Sequence, residues 1–363
     1  MPVTSAENAL TRDADDDGAS IGAQIDWSFA ASTAKRLTRP GPKVTTYTIE
    51  AAHAELADAA TRAEGPVREV TRLADGLRVP TTRILDRKGW IDASSQSMRS
   101  MLGAGDAGAG ESTGLAGKFA GLQAGGLLAF LSTAILGQYD PFTPDPETGE
   151  PGVLMVVAPN IISVERALKV VPSDFRLWVC LHEVTHRVQF SANPWLRGYM
   201  QDNVATLTTD TGESAGAVMA RISKTLKDSD EPREKGIIGA MQLLQSPEQY
   251  AAFQRMMVLG TLLEGHADHV MDAVGPAQVP TVASIRAAFD KRRQSPSNPI
   301  QRIIRALIGM DAKIAQYVRG KAFVDEVVGT VGMDRFNVIW TSPETMPLPA
   351  EIDEPQAWIR RVL

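Results

Sequence analysis

Residues Asp174 to Phe190 read DFRLWVCLHEVTHRVQF, and His182-Glu183-Val184-Thr185-His186 inside this stretch is an HExxH motif. The stretch predicts a helix that opens after Pro172, with Ser173 as cap and Asp174 complementing the dipole, and that ends near Asn193-Pro194. Residues four apart stand one above the other on a helix, so His182 and His186 can each turn a ring nitrogen toward one metal ion. That is half of a tetrahedral zinc site. Glu183 follows the first histidine by about 100° of helix turn, which sets its carboxylate beside the open coordination position. There it can act as general base toward a water that the metal has acidified. With five histidines in 363 residues, a chance match of this kind is rare, on the order of one in a hundred. The uncharged neighbours Val179, Cys180, Leu181, Val184, Thr185 and Val188 suit a site placed in a core.

A catalytic zinc usually takes three protein ligands. Ala192 stands six residues beyond His186, so the HExxHxxGxxH arrangement is excluded. A more distant donor is needed, and Leu262 to His269, LLEGHADH, offers Glu264, His266 and His269, with Asp268 one turn after Glu264. Zinc is the expected cofactor, although imidazole and carboxylate ligands also suit other divalent ions.

HExxH followed on a later helix by ExxxD resembles the gluzincin branch of zinc peptidases. The resemblance implies Glu264 as third ligand and Asp268 as the group that holds the far nitrogen of His182, with His266 and His269 as competing ligands. It also implies a histidine that donates to the transition-state oxygen, which makes His266 a catalytic candidate beside Glu183. His269 and Tyr199 are the alternative donors. A wider resemblance rests on Leu136 to Asp140 (LGQYD), Leu177-Trp178, Asn193 to Arg197 (NPWLR), Glu264 to Asp268 (EGHAD) and Trp358. These segments are similar to the bacterial zincin-like metallopeptidase type 2 family, whose peptidase label rests mainly on the motif and some of whose members are associated with deazaflavin coenzyme biosynthesis. The resemblance implies a zincin-like fold and a bound metal. Arg187 departs from the pattern, since an uncharged residue normally follows the second histidine.

The remaining chain supports a mainly α fold with a small β-sheet beside the active-site helix. A hydrophobic content of 44% is ample for a core, and we expect one domain over residues 21–363 behind a disordered acidic tail over 1–20. The net charge of -6 argues against a nucleic-acid partner. A single cysteine, Cys180, fits a reducing compartment and reads as packing, and the N-terminus lacks the features of a secretory signal, so the expected location is cytoplasmic.

Helices are expected over Ile25 to Leu37 and Thr48 to Leu73, with His53 an ordinary helix residue, and Thr82 to Asp86 forms a short strand or loop. Gly103 to Gly114 is a flexible loop. Leu115 to Gly137 is long and apolar enough to raise a membrane span, but Lys118, Gln123 and its small residues favour a central, closely packed helix. Tyr139 to Gly152 is rich in turn residues, and Val153 to Val157 is a strand, placed where zincins commonly carry a substrate-binding edge but equally readable as a plain buried strand. Ser246-Pro247-Glu248-Gln249 is a capping box opening a helix that runs to Val274. Polar residues surround a helical segment from Ala215 to Leu226 and a charged loop from Lys227 to Lys235. Further helices are expected at 282–293, 299–308, 311–318 and 322–331.

The leading expectation is a zinc hydrolase acting on an amide, most simply a peptide bond. The alternatives are a metal-stabilised binding or regulatory module without activity, and a hydrolase of small-molecule amides. Oligomeric state is not legible.

Overall fold

The computed structural model describes residues 25–102, 114–209, 245–294 and 311–363. The acidic tail, nearly all of the glycine-rich loop, the segments at 215–226 and 227–235 and the helix expected at 299–308 lie outside the described residues.

The motif-bearing helix, Pro172–Ala192, is the sixth among the described residues and is labelled α6. It is buried almost all round, from Phe175 to Leu181 and again at Val184, Val188 and Phe190. One side packs on α2 (Thr46–Thr71) and another on α8 (Pro247–Gln278). Proline at its first position sets the helical φ without sacrificing a useful donor. Ser173 is not the cap, as the sequence suggested: the cap is Val171, and Ser173 is already inside the helix. Asp174 does lie in the first turn, and its Oδ2 accepts from the backbone N (3.0 Å) and hydroxyl (2.7 Å) of Thr281. That ties α6 to the start of α9 (Val282–Gln294).

Three strands, β1 (Thr82–Leu85), β2 (Gly137–Pro144) and β3 (Pro151–Val157), form a sheet in the order β1-β3-β2. β3 runs parallel to β1 and antiparallel to β2. Two expectations change here. The turn-rich stretch from Tyr139 is largely strand, with Tyr139 paired to Leu154 and Asp140 to Val153. Asp140 Oδ1 accepts from Ser97 Oγ (2.8 Å) and from the Phe142 backbone N (2.9 Å), so a residue type that signals a turn is satisfied within a ladder. Nor is Val153 to Val157 an edge, because β3 is the central strand, and among the described residues β2 is the edge on the α6 side.

α4 (Leu115–Leu131) packs on α1 (Trp27–Leu37) through glycines. A Cβ at Gly121 would lie 2.8 Å from the Asp26 carbonyl oxygen, and one at Gly125 would lie 2.7 Å from that of Ala30. The close packing is as expected, but the helix is peripheral rather than central: Leu115, Phe119 and Leu122 are exposed on its other face. No described helix is long and apolar enough to cross a membrane.

Ser246 and Gln249 form the reciprocal capping box at the start of α8, and Gly275, with φ +67°, ends its regular part after Val274. Beyond α9 lies α10 (Asp311–Val331), a single helix where the sequence suggested two. The apparent break at Gly320 is a crossing point. A Cβ at Gly265 would stand 2.3 Å from the Gly320 carbonyl carbon, and one at Gly320 would stand 2.3 Å from the Thr261 carbonyl oxygen. The backbones of α8 and α10 touch there. The C-terminal segment closes with α12 (Pro355–Val362), anchored by buried Trp358, whose indole N–H donates to the Thr345 carbonyl at 2.8 Å. Between α10 and α12 lies the short α11 (Met333–Phe336).

Candidate metal centre

His182 and His186 point from one face of α6, with their Nε2 atoms 3.2 Å apart. Glu264, from the middle of α8, brings Oε2 within 3.3 Å of His182 Nε2 and Oε1 within 3.6 Å of His186 Nε2. Zinc bonds to nitrogen and oxygen run about 2.0–2.2 Å, so the edge of a tetrahedron around it is roughly 3.3–3.5 Å. The imidazole–imidazole separation and the His182–Glu264 separation are close to that edge, while the His186 contact runs to the other carboxylate oxygen, and two imidazoles with one carboxylate are a donor set zinc takes. Among the described residues this is the group of metal-ligating side chains that converges closely enough to hold an ion.

Hydrogen bonds fix the orientation of the second imidazole. Gln189, one turn beyond His186, donates from Nε2 to the Leu263 carbonyl (3.0 Å), which fixes the sense of its amide. Its Oε1 therefore faces His186 Nδ1 at 2.9 Å and accepts from it. The proton of His186 is held on Nδ1, and the lone pair of Nε2 is directed at the other two donors. The same Gln189 amide donates to His266 Nδ1 (3.0 Å). We expect Gln189→Leu to keep the fold and weaken zinc affinity about 10–100-fold, measured by competition with a chromophoric chelator. Unchanged affinity would remove Gln189 from this role.

The electrostatics of the cluster favour a cation at its centre. Burial disfavours a charge on His182, yet Glu264, Glu183 and Asp268 outweigh it and push the imidazole up to about 9. Burial likewise opposes ionisation of Glu264, but the two histidines hold it well below the ordinary carboxylate range. Burial, the largest cause, raises the Glu183 carboxyl above its ordinary value, and the Glu264 charge adds to it against the two histidines. Its side chain lies against Gly137 at the start of β2, where a Cβ would come within 2.6 Å of Glu183 Cγ. Only glycine leaves the carboxylate room.

His182, Glu183, Glu264 and Asp268 line a half-open cavity of roughly 320 Å³. The rest of the lining is largely apolar, with Phe130, Leu131, Ile135, Trp178, Met271 and Phe289. Asp268 is paired with Arg286 (3.1 Å) and its charge acts on His182.

The other sequence candidates lie elsewhere. His266 is fully buried beside Phe336 and Trp340 and does not line the cavity; burial lowers its imidazole to about 3, which keeps it neutral. Its contact with the site runs through Gln189, so the structure offers no geometry for donation to a substrate. His269 faces away and pairs with Asp325 at 2.7 Å. Tyr199, in α7 (Trp195–Thr208), stacks edge-on with Trp195, whose indole N–H donates to the Trp340 carbonyl at 2.7 Å. Arg187 also turns from the metal. Its guanidinium reaches Glu64 of α2, the Pro80 carbonyl (3.1 Å) and Thr82 Oγ1 (3.1 Å), so the unexpected charge joins α6 to α2 and β1. Burial pushes the Cys180 thiol up to about 12, as suits a packing residue.

Gln189, Gly137 and the apolar lining escaped the sequence reading. Gln189 had one signal: an amide three residues after the second histidine on a helix otherwise poor in polar residues.

Two imidazoles four apart on one helix, a carboxylate from a second helix and a glutamate beside them define the class of zincin-like metallohydrolases. The chain belongs to the zincin-like metallopeptidase family, whose profile matches residues 25–359. A solved structure from Chloroflexus aurantiacus, described as a candidate hydrolase with a novel fold, is 29% identical with a TM-score of 0.63. The match covers 93% of this chain and 98% of that one. Comparison with curated proteins gave no match.

Proposed function

We propose that this protein is a zinc-dependent hydrolase of amide bonds, with His182, His186 and Glu264 as metal ligands and Glu183 as general base. The observation that carries the proposal is the convergence of two imidazole nitrogens, 3.2 Å apart, on the Glu264 carboxylate, whose two oxygens lie 3.3 and 3.6 Å from them, beside a buried glutamate. When bound, zinc supplies the Lewis acidity that polarises a carbonyl and acidifies water. Glu183, raised by burial, takes the proton from the attacking water and returns it to the leaving nitrogen. Gly137 keeps its carboxylate in place, and Gln189 keeps the His186 lone pair aimed inward. Asp268 supports the charge on the His182 side.

The apolar lining beside the ligands suits a hydrophobic group next to the scissile amide. A peptide is the leading substrate. A small-molecule amide is the second, since β3, the strand the sequence marked for an extended chain, is central, and among the described residues only the β2 edge lies on the α6 side. The single buried cysteine accords with a cytoplasmic setting.

Elemental analysis of protein purified without chelator tests the ligand set. Wild type should carry about one zinc per chain and Glu264→Ala should lose it, while His266→Ala should retain it. Wild type that neither carries nor takes up zinc would overturn the proposal.

A further inference from the structure

A second cavity, roughly 600 Å³, shares no lining residue with the metal cavity and lies where α1, α2, α3 (Arg87–Met101) and α5 (Ala158–Leu168) approach one another. Five cations, Lys35, Arg36, Arg39, Arg87 and Lys88, line it against one acid, Asp86, in a chain whose net charge is -6. That acid is already engaged: Asp86 Oδ1 accepts from the Gly89 backbone N (2.7 Å) as the cap of α3. Lys35 pairs with Asp92 at 2.7 Å. Arg36, Arg39 and Lys88 have no carboxylate partner among the described residues, which leaves like charges converging on one hollow.

Arg87 is the decisive residue. It is only partly exposed, and its guanidinium bonds Asn160 Oδ1 (2.7 Å) and the carbonyls of Arg39 (2.8 Å) and Pro40 (2.7 Å), none of them charged. Nη2 has no partner. Burial accordingly lowers its pKa with no ion pair to raise it. The loop that carries Arg39 is held in place by these bonds and by Gly41, whose Cβ would stand 3.0 Å from Pro159 Cβ. The hollow is therefore built in advance of any occupant. Val44, Ile49 and Ile162 give it an apolar side.

We propose that this cavity binds a small molecule carrying a phosphate or pyrophosphate group on an apolar body, with Arg39, Arg87 and Lys88 receiving the anion. Guanidinium groups match phosphate oxygens in pairs, and an ammonium adds a point charge. A nucleic-acid backbone would instead call for cations spread along a stripe.

Isothermal titration calorimetry of the full chain with inorganic pyrophosphate, at constant ionic strength, tests the proposal. One saturable site is expected, with Kd below about 1 mM. Arg39→Glu/Lys88→Glu should weaken it at least about tenfold, and Arg36→Ala should weaken it in the same direction if the double variant fails to fold. Arg62→Glu/Arg335→Glu, on other surfaces, should leave it unchanged. Glu264→Ala should also bind normally, which separates this site from anion capture or chelation at the metal centre. The proposal fails if pyrophosphate shows no saturable binding up to about 10 mM. It also fails if the basic variants bind as wild type, if binding is lost with Glu264, or if a single-stranded oligonucleotide binds more tightly than pyrophosphate through the same residues.

Discussion

Glu183→Gln should retain about one zinc per chain while lowering turnover of an amide substrate about 10²–10⁴-fold, the range a general base contributes. The amide has the shape of the carboxylate and fits the same space beside Gly137, so the helix and the three donors stay as they are. What it lacks is a basic oxygen. Metal content and turnover measured on one preparation separate the causes: loss of both means the substitution disturbed the ligand set, and loss of turnover alone isolates proton transfer. Full activity in a zinc-loaded Glu183→Gln variant would discard the mechanism. If neither variant nor wild type hydrolyses any amide while both are strongly stabilised by zinc, the site serves as a structural clamp in a binding module.

Gly265→Ala should be among the most damaging single-methyl additions in the molecule. The new Cβ would meet the Gly320 carbonyl carbon at 2.3 Å, its oxygen at 2.5 Å and the Lys321 nitrogen at 2.7 Å, all backbone atoms that cannot rotate away. α8 and α10 must separate, at a cost of about 1–3 kcal/mol or more. The displaced residue adjoins Glu264, so zinc affinity should fall with stability. Gly260 provides the control, since a Cβ there meets nothing within 4 Å. Gly260→Ala in the same helix should be neutral or stabilising by up to about 1 kcal/mol, because alanine restricts the unfolded chain and favours the helix. Equal behaviour of the two variants in thermal melts and zinc titrations would show that the crossing is looser than described.

The parts legible in the sequence were those whose causes are local. The spacing of His182 and His186, the run at Val153 to Val157 and the capping box at Ser246 and Gln249 each follow from a period or from a cap three residues long. The third donor was not legible from spacing, since nothing within α6 points to Glu264; it entered through a motif resemblance. β2 was obscured because its glycine, aspartate and prolines signal turns, and what holds Asp140 in a strand is Ser97, on α3. Gly320 falls in the gap between the two helices expected at 311–318 and 322–331, since sequence cannot tell a glycine that ends a helix from one that lets another backbone approach. His266 has the residue type and neighbourhood of a catalytic group, yet Phe336 and Trp340, about seventy residues later, enclose it. The basic cavity was invisible for the same reason, its cations being drawn from segments some fifty residues apart.

Seventy-eight residues separate His186 from Glu264, and the surface that fixes Glu264 laterally, Gly320 on α10, comes another 56 later. On the proposed ligand set, the two histidines emerge during synthesis long before their third partner, as a pair that would hold a metal less firmly than the complete set. With that set, loading would belong to the last stage of assembly, when α10 has docked on α8. A chain stopped before residue 311 would contain every proposed ligand and still lack the backbone that meets α8 at Gly265, next to Glu264.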